Sequence, residues 1–182
     1  MYTSFSIKDY KITHFEYKYL DKIHGVPTID SLLRIFRQLK RNAQYITTTL
    51  GGGQLGYFAL VLSDATCMAI PNSVPFLRLV NPRPFVIATT STTRSGLPLT
   101  QEAIAQQKIN NDKTKHLYNE CQSLEQALRK QIIDAIPTEG LDSLRNTDTD
   151  MINETTPVII QYLQTNYGRV ADNHRLIRAL KK

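Results

Sequence analysis

Three stretches of the chain carry apolar residues at helical spacing. In the first, Ile29, Leu32, Leu33, Phe36, Leu39 and Ala43 recur at mostly three- and four-residue steps, which predicts a helix over 28–43. Thr28 follows Pro27 and suits the N-cap. Arg34, Arg37, Lys40 and Arg41 fall off that stripe, and their place near the helix end suits its dipole. The second and longest stretch runs from Thr100 to Ile136. Thr100, Glu102 and Ala103 open it, Ile104 and Ile109 mark its early apolar side, and Asn110-Asn111-Asp112 is a polar weak point. Leu117, Tyr118, Cys121, Leu124, Leu128, Ile132 and Ile136 continue the stripe until Pro137 ends it. In the third, Thr156 is the expected cap and Pro157 the first helical residue. Val158, Ile159, Tyr162, Leu163 and Tyr167 form its stripe and Gly168 is its stop. Residues 172–182 read as a last, basic helical segment.

The segments between are different. Residues 1–26 are aromatic and polar, and the alternation from Lys11 to Tyr19 has the period of a strand, so an extended arm is expected, closed by Gly25 and Pro27. Residues 54–63 are strongly apolar, and periodicity alone leaves buried strand and buried helix both open. Ser63-Asp64 reads as the cap of a short helix over 65–70, stopped by Pro71. Five of the eight prolines fall within 71–98, which excludes a long helix there. Within that segment Thr89–Gly96 reads as a polar loop, and strand, if any, belongs to this segment or to the arm. Residues 138–155 are acidic and turn-rich, with Leu141, Leu144, Met151 and Ile152 as anchors. The expected architecture is mainly α: an arm over 1–26 and a helical domain over 27–182, with a subdivision near 98–112.

A chain of 182 residues can bury a core without disulfides or a metal. Its longest apolar run, Tyr57–Leu62, is far too short to span a bilayer. No secretory h-region opens the sequence, and two cysteines make no disulfide framework. Cys67 and Cys121 are expected as buried free thiols, and the chain as cytoplasmic, with no membrane partner. The net charge of +6 is uneven: residues 1–50 carry eight Lys/Arg against four acids, and 161–182 five against one. Residues 100–160 carry six against ten. Basic ends around an acidic middle suit self-association between unlike surfaces, or a weak polyanion contact.

Chemistry is sparse. Gly51-Gly52-Gly53-Gln54-Leu55-Gly56 spells G-x-G-x-x-G, but Asp64 comes too early for the ribose acid and no acid lies between it and Glu102. The reading favoured is a sharp turn, with at least one of Gly51, Gly52 and Gly53 at positive φ. No G-K-[ST] follows, no G-x-S-x-G elbow is present, and no His pairs with a cysteine at metal-ligand spacing. No catalytic residue, cofactor or metal is therefore expected, and the chain reads as a non-enzyme.

One pair of motifs is familiar. Thr49-Leu50-Gly51-Gly52-Gly53-Gln54-Leu55-Gly56-Tyr57, running into Leu60-Val61-Leu62-Ser63, resembles the TLGGGxxGxxxLxLS signature of Gag-like polyproteins of Ty1/copia-type retrotransposons. Tyr118, Leu124, Leu128, Gln131-Ile132 and Ile136 resemble that family's helix. Thr156, Ile160, Tyr162-Leu163 and Tyr167-Gly168-Arg169-Val170 resemble its ending, in the same order and spacing. The resemblance covers most of 28–182. It implies the N-terminal region of a capsid: mainly helical, without a catalytic site, and polymerising into a shell around the element's RNA. The family's C-x₂-C-x₄-H-x₄-C zinc knuckle is absent, and the chain stops soon after Gly168. The RNA-binding tail and second capsid domain are thus expected to lie outside this chain, which leaves RNA a weak partner.

The reading is a virus-like-particle capsid domain whose main partner is itself, with Arg34, Arg37, Lys40 and Arg41 as candidate self-association or polyanion contacts. Gly51, Gly52, Gly53 and Gly56 are its family-motif turn. Two alternatives remain. One is a cellular helical protein-binding adaptor, domesticated from such an element. The other is a basic RNA-binding protein using those four cations with Arg169, Arg175, Arg178, Lys181 and Lys182.

Overall fold

The computed structural model describes residues 15–71, 74–86 and 100–168. Among them the architecture is mainly α and holds no strand. Four helices follow in order: α1 (Ile29–Tyr45), α2 (Asp64–Met68), α3 (Gln101–Ala135) and α4 (Thr156–Tyr167). Short 3₁₀ turns lie at Gly53–Leu55, Phe58–Leu60, Thr138–Gly140 and Asp142–Leu144. The expected segment at 172–182 lies outside the described residues, as does the loop Thr89–Gly96.

Three of the four helices start at a side-chain cap. Thr28 and Ser31 form a reciprocal capping box on α1: the Ser31 N–H donates to Thr28 Oγ1, and the Thr28 N–H to Ser31 Oγ. Ser63 caps α2 through the Thr66 N–H. Thr100 caps α3 through the Ala103 N–H at 3.2 Å. The α4 expectation is off by one: Thr155 is the N-cap and Thr156 already helical. The Thr156 side chain therefore turns into the core, where its hydroxyl has no hydrogen-bond partner among the described residues. Gly168 ends α4 with right-handed rather than left-handed backbone.

The chain groups into two compact units. The smaller, Arg78–Ser123, contains the proline-rich strip from Arg78 onward and most of α3. The strip is extended and largely exposed; Asn111 Nδ2 of α3 donates to the Arg83 carbonyl at 3.2 Å. The larger unit takes 15–77 and 124–168 of the described residues. Its core consists of Leu32, Ile35, Phe36, Leu39 and Ala43 of α1, Leu124, Leu128 and Ile132 of α3, and Ile159, Ile160 and Leu163 of α4. Tyr57, Leu60, Val61 and Leu141 complete it.

Two apolar stripes are rotated from the expectation. On α1, Ile35 is buried and Leu33 is 42% exposed; on α4, Ile160 is buried and Val158 is exposed. The Lys/Arg-rich face also sits a turn earlier than expected, because α1 continues to Tyr45 and its last turn holds no cation. Neither cysteine is in a disulfide, but only Cys121 is buried; Cys67 is half-exposed on the short helix α2.

Candidate interaction site

The glycine motif is a cap on the C-terminal end of α1. The Tyr57 N–H donates to the Ala43 carbonyl at 3.0 Å, and Gly56 lies against the carbonyls of Ala43, Gln44 and Ile46. On its other side, the Gly52 N–H donates to the Val74 carbonyl at 3.1 Å and the Leu77 N–H to that of Leu50 at 2.6 Å. Tyr57 stacks edge-on against Phe76, ring centroids 5.9 Å apart. Gly51, Gly52, Gly53 and Gly56 all have positive φ, at 105°, 76°, 57° and 52°. A turn was expected; four left-handed residues in six are more than it required. The surroundings also decide the chemistry. A phosphate loop presents N–H groups at a helix N-terminus. This one abuts a helix C-terminus and the carbonyls of Ala43, Gln44, Ile46 and Pro75, which repel an anion. Residues 54–63, left open between strand and helix, are two short 3₁₀ turns that sink Tyr57, Ala59, Leu60 and Val61 into the core.

The second assembly is on the opposite side of the sequence pattern, where the arm meets α1 and α3. Residues 15–19 are a run of bends rather than a strand; 11–14 lie outside the described residues. The reason is visible in where the backbone bonds go. The Tyr17 N–H donates to Asn42 Oδ1 at 2.8 Å, and Asn42 Nδ2 donates back to the Tyr17 carbonyl at 2.8 Å. Gln131 Nε2 donates to the Tyr17 and Lys18 carbonyls at 2.9 and 3.0 Å. Asn42 Nδ2 also donates to Gln131 Oε1 at 2.9 Å, joining the two amides in one buried network. Further along, the Asp21 N–H donates to Gln38 Oε1 and the Ile23 N–H to the Ala135 carbonyl. Phe15 and Leu20 are the arm's buried anchors. Side-chain amides thus replace the neighbouring strand that alternation alone suggests.

The candidate cations divide on this basis. Arg41 donates to the Tyr17 hydroxyl at 3.0 Å and pairs with Glu16 at 3.4 Å. The Tyr17 bond, then both groups' fields, hold its guanidinium above its ordinary value, so it stays charged. Arg34 pairs with Asp21 at 3.8 Å. Both pairs are solvent-exposed, so water and salt screen them. Arg37 is exposed and Lys40 half-exposed, and neither has an ion pair among the described residues. Two of the four cations therefore face the arm, and two face solvent beside Leu33. The C-terminal basic residues from Arg169 onward lie outside the described residues.

In the acidic segment, Arg145 is clasped by Asp142 and Asp150, at 3.5 and 3.2 Å. Glu139, Asp148 and Glu154 are exposed. Among the described residues no group of three His, Cys, Asp or Glu side chains is placed to hold a metal, and no helix is long and apolar enough to cross a membrane. Sequence reasoning missed the role of Asn42 and Gln131; each is a polar residue on an apolar stripe, and Gln131 entered only as part of the family resemblance.

No family model, curated protein or solved structure matches the chain.

Proposed function

We propose that this chain is a structural, self-associating domain of the Gag-like capsid type found in Ty1/copia retrotransposons, with no catalytic role. One observation supports the reading: apart from Tyr118, the described residues that resemble the family signature fall in one compact unit, the larger, and most of its apolar ones are buried there. Leu50, Tyr57, Leu60 and Val61 of the first motif are buried, as are Leu124, Leu128, Ile132, Ile136, Thr156, Ile160 and Leu163 of the second. The glycines between them close the end of α1. A resemblance made of core and turn residues supports a shared fold, and a capsid's activity is its fold together with its contacts. Solvent-facing Arg37 and Lys40 and the exposed acids Glu139, Asp148 and Glu154 supply unlike surfaces for such contacts. Contacts of a reversible shell are individually weak and small, below about 1,200 Å².

Sedimentation velocity of the full chain over a wide concentration range tests the proposal. The expected result is concentration-dependent association. A chain that remains monomeric at its highest soluble concentration in low salt would overturn it.

A further inference from the structure

The arm is held in a way that does not require it to be the chain's own. Apart from the exposed bond from Arg41 to the Tyr17 hydroxyl, the hydrogen bonds that seat 17–23 are made to its backbone: at Tyr17 N–H and carbonyl, Lys18 carbonyl, Asp21 N–H and Ile23 N–H. The donors and acceptors opposite, Asn42, Gln131, Gln38 and the Ala135 carbonyl, are fixed on α1 and α3 of the larger unit. Two apolar anchors, Phe15 and Leu20, fill the groove. Together these make an acceptor for an extended peptide, filled here by residues 15–23.

The connection to α1 is built to open. His24, Gly25 and Val26 are exposed, Val26 at 78%. Gly25 has φ 79° with nothing within 4 Å of where a Cβ would stand. It makes the tight reversal that folds the arm back antiparallel to α1, and glycine can leave that conformation for an extended one at no steric cost. Beside it lies an open recess of about 320 Å³, lined by Lys22, Ile23, His24, Asp134 and Pro137. Extending a short reversal of this kind carries the arm away from its own helix and toward another.

We infer that the arm is exchangeable: residues 15–23 of one copy seat in the α1–α3 groove of a second copy, with 24–26 as the hinge. The exchange remakes the same bonds in trans, so it has little cost beyond bringing two copies together. It rests on the self-association proposed above and names a route for it.

The test uses the full chain with Glu16→Cys and Arg41→Cys, two exposed positions whose native side chains touch at 3.4 Å. A Cys67→Ser background removes the half-exposed native thiol. A short bismaleimide applied in dilute solution ties the arm to its own helix; the comparison sample has both thiols capped with a monofunctional maleimide. On concentration, the tied chain is expected to lose at least about tenfold in apparent association constant relative to the capped one. Mixing copies that carry only Glu16→Cys with copies that carry only Arg41→Cys, before adding the linker, is expected to give a covalent dimer joined at 16 and 41. Inserting four Gly/Ser residues after His24 should favour the monomer, because a longer hinge lets the arm return to its own groove. Association that survives the tie, with no covalent mixed dimer, overturns the exchange and leaves self-association standing. A capped chain that never associates overturns both.

Discussion

Gly51 and Gly25 share a left-handed backbone and differ in everything around it. A Cβ on Gly51 would collide with the Pro75 carbonyl oxygen, and one on Gly56 with that of Ile46, both parts of the backbone. A Cβ on Gly25 meets open space. Gly25→Ala should therefore cost only the left-handed strain, about 1–2 kcal/mol. Gly51→Ala and Gly56→Ala should each cost more than about 3 kcal/mol, since strain and a backbone clash combine. Urea unfolding of the three variants gives the order directly. The glycine run announced a turn in the sequence. It did not announce the docking, because the carbonyls that crowd it come from Ala43, Gln44, Ile46 and Pro75. A second single-residue test lies at Thr156, whose buried hydroxyl has no partner among the described residues. Thr156→Val keeps the shape and removes the unsatisfied group, so thermal unfolding should show a neutral or stabilised protein.

Among the elements, α1 and the start of α3 were the most legible: the Thr28 cap stands where the sequence put it, and α3 begins at the Thr100 opening the sequence marked. The faces were less so. Ile35 and Leu33 compete for the same stripe, and which one is buried depends on where α4 lies, which helical period does not encode. Asn42 and Gln131 were illegible for a sharper reason: a buried amide makes sense only once the backbone it serves is in place. Asn42→Ala should cost about 2–3 kcal/mol by stranding the Tyr17 backbone groups and Gln131. A double-mutant cycle with Gln131→Ala should show coupling of about 1 kcal/mol, because the two amides share one network. At the end of α4, burial first, and then Tyr162 and Asp142, raise the Tyr167 hydroxyl above its ordinary 10.0. The folded state therefore holds this proton more tightly than the unfolded chain does. Its contribution to stability is intact below about pH 10 and is lost as pH rises through the folded value. Urea midpoints of wild type and Tyr167→Phe should diverge in alkaline solution, the wild type falling more steeply.

At the scale of the whole molecule, charge was legible as a distribution but not as a surface. The +6 net charge and its basic first third are in the sequence. That Arg34 and Arg41 are turned toward the arm's own acids is not, because Asp21 and Glu16 become their neighbours only when the arm folds back. If contacts between copies pair Arg37 and Lys40 with the exposed acids, raising salt from about 50 mM to about 500 mM should weaken association by screening exposed charges. Sedimentation at both salts measures it. The amide clamp has a further consequence, for how this protein can change over generations. Asn42 and Gln131 recognise peptide bonds, not side chains, so they place almost no demand on the identity of what they hold. Lys18, Tyr19 and Lys22 are exposed, Tyr19 at 83%, and are free to drift. At position 17 only proline is forbidden, because the N–H is needed. The strap can thus lose nearly all of its lettering while its apolar anchors at 15 and 20 and the two amides that grip it stay in place.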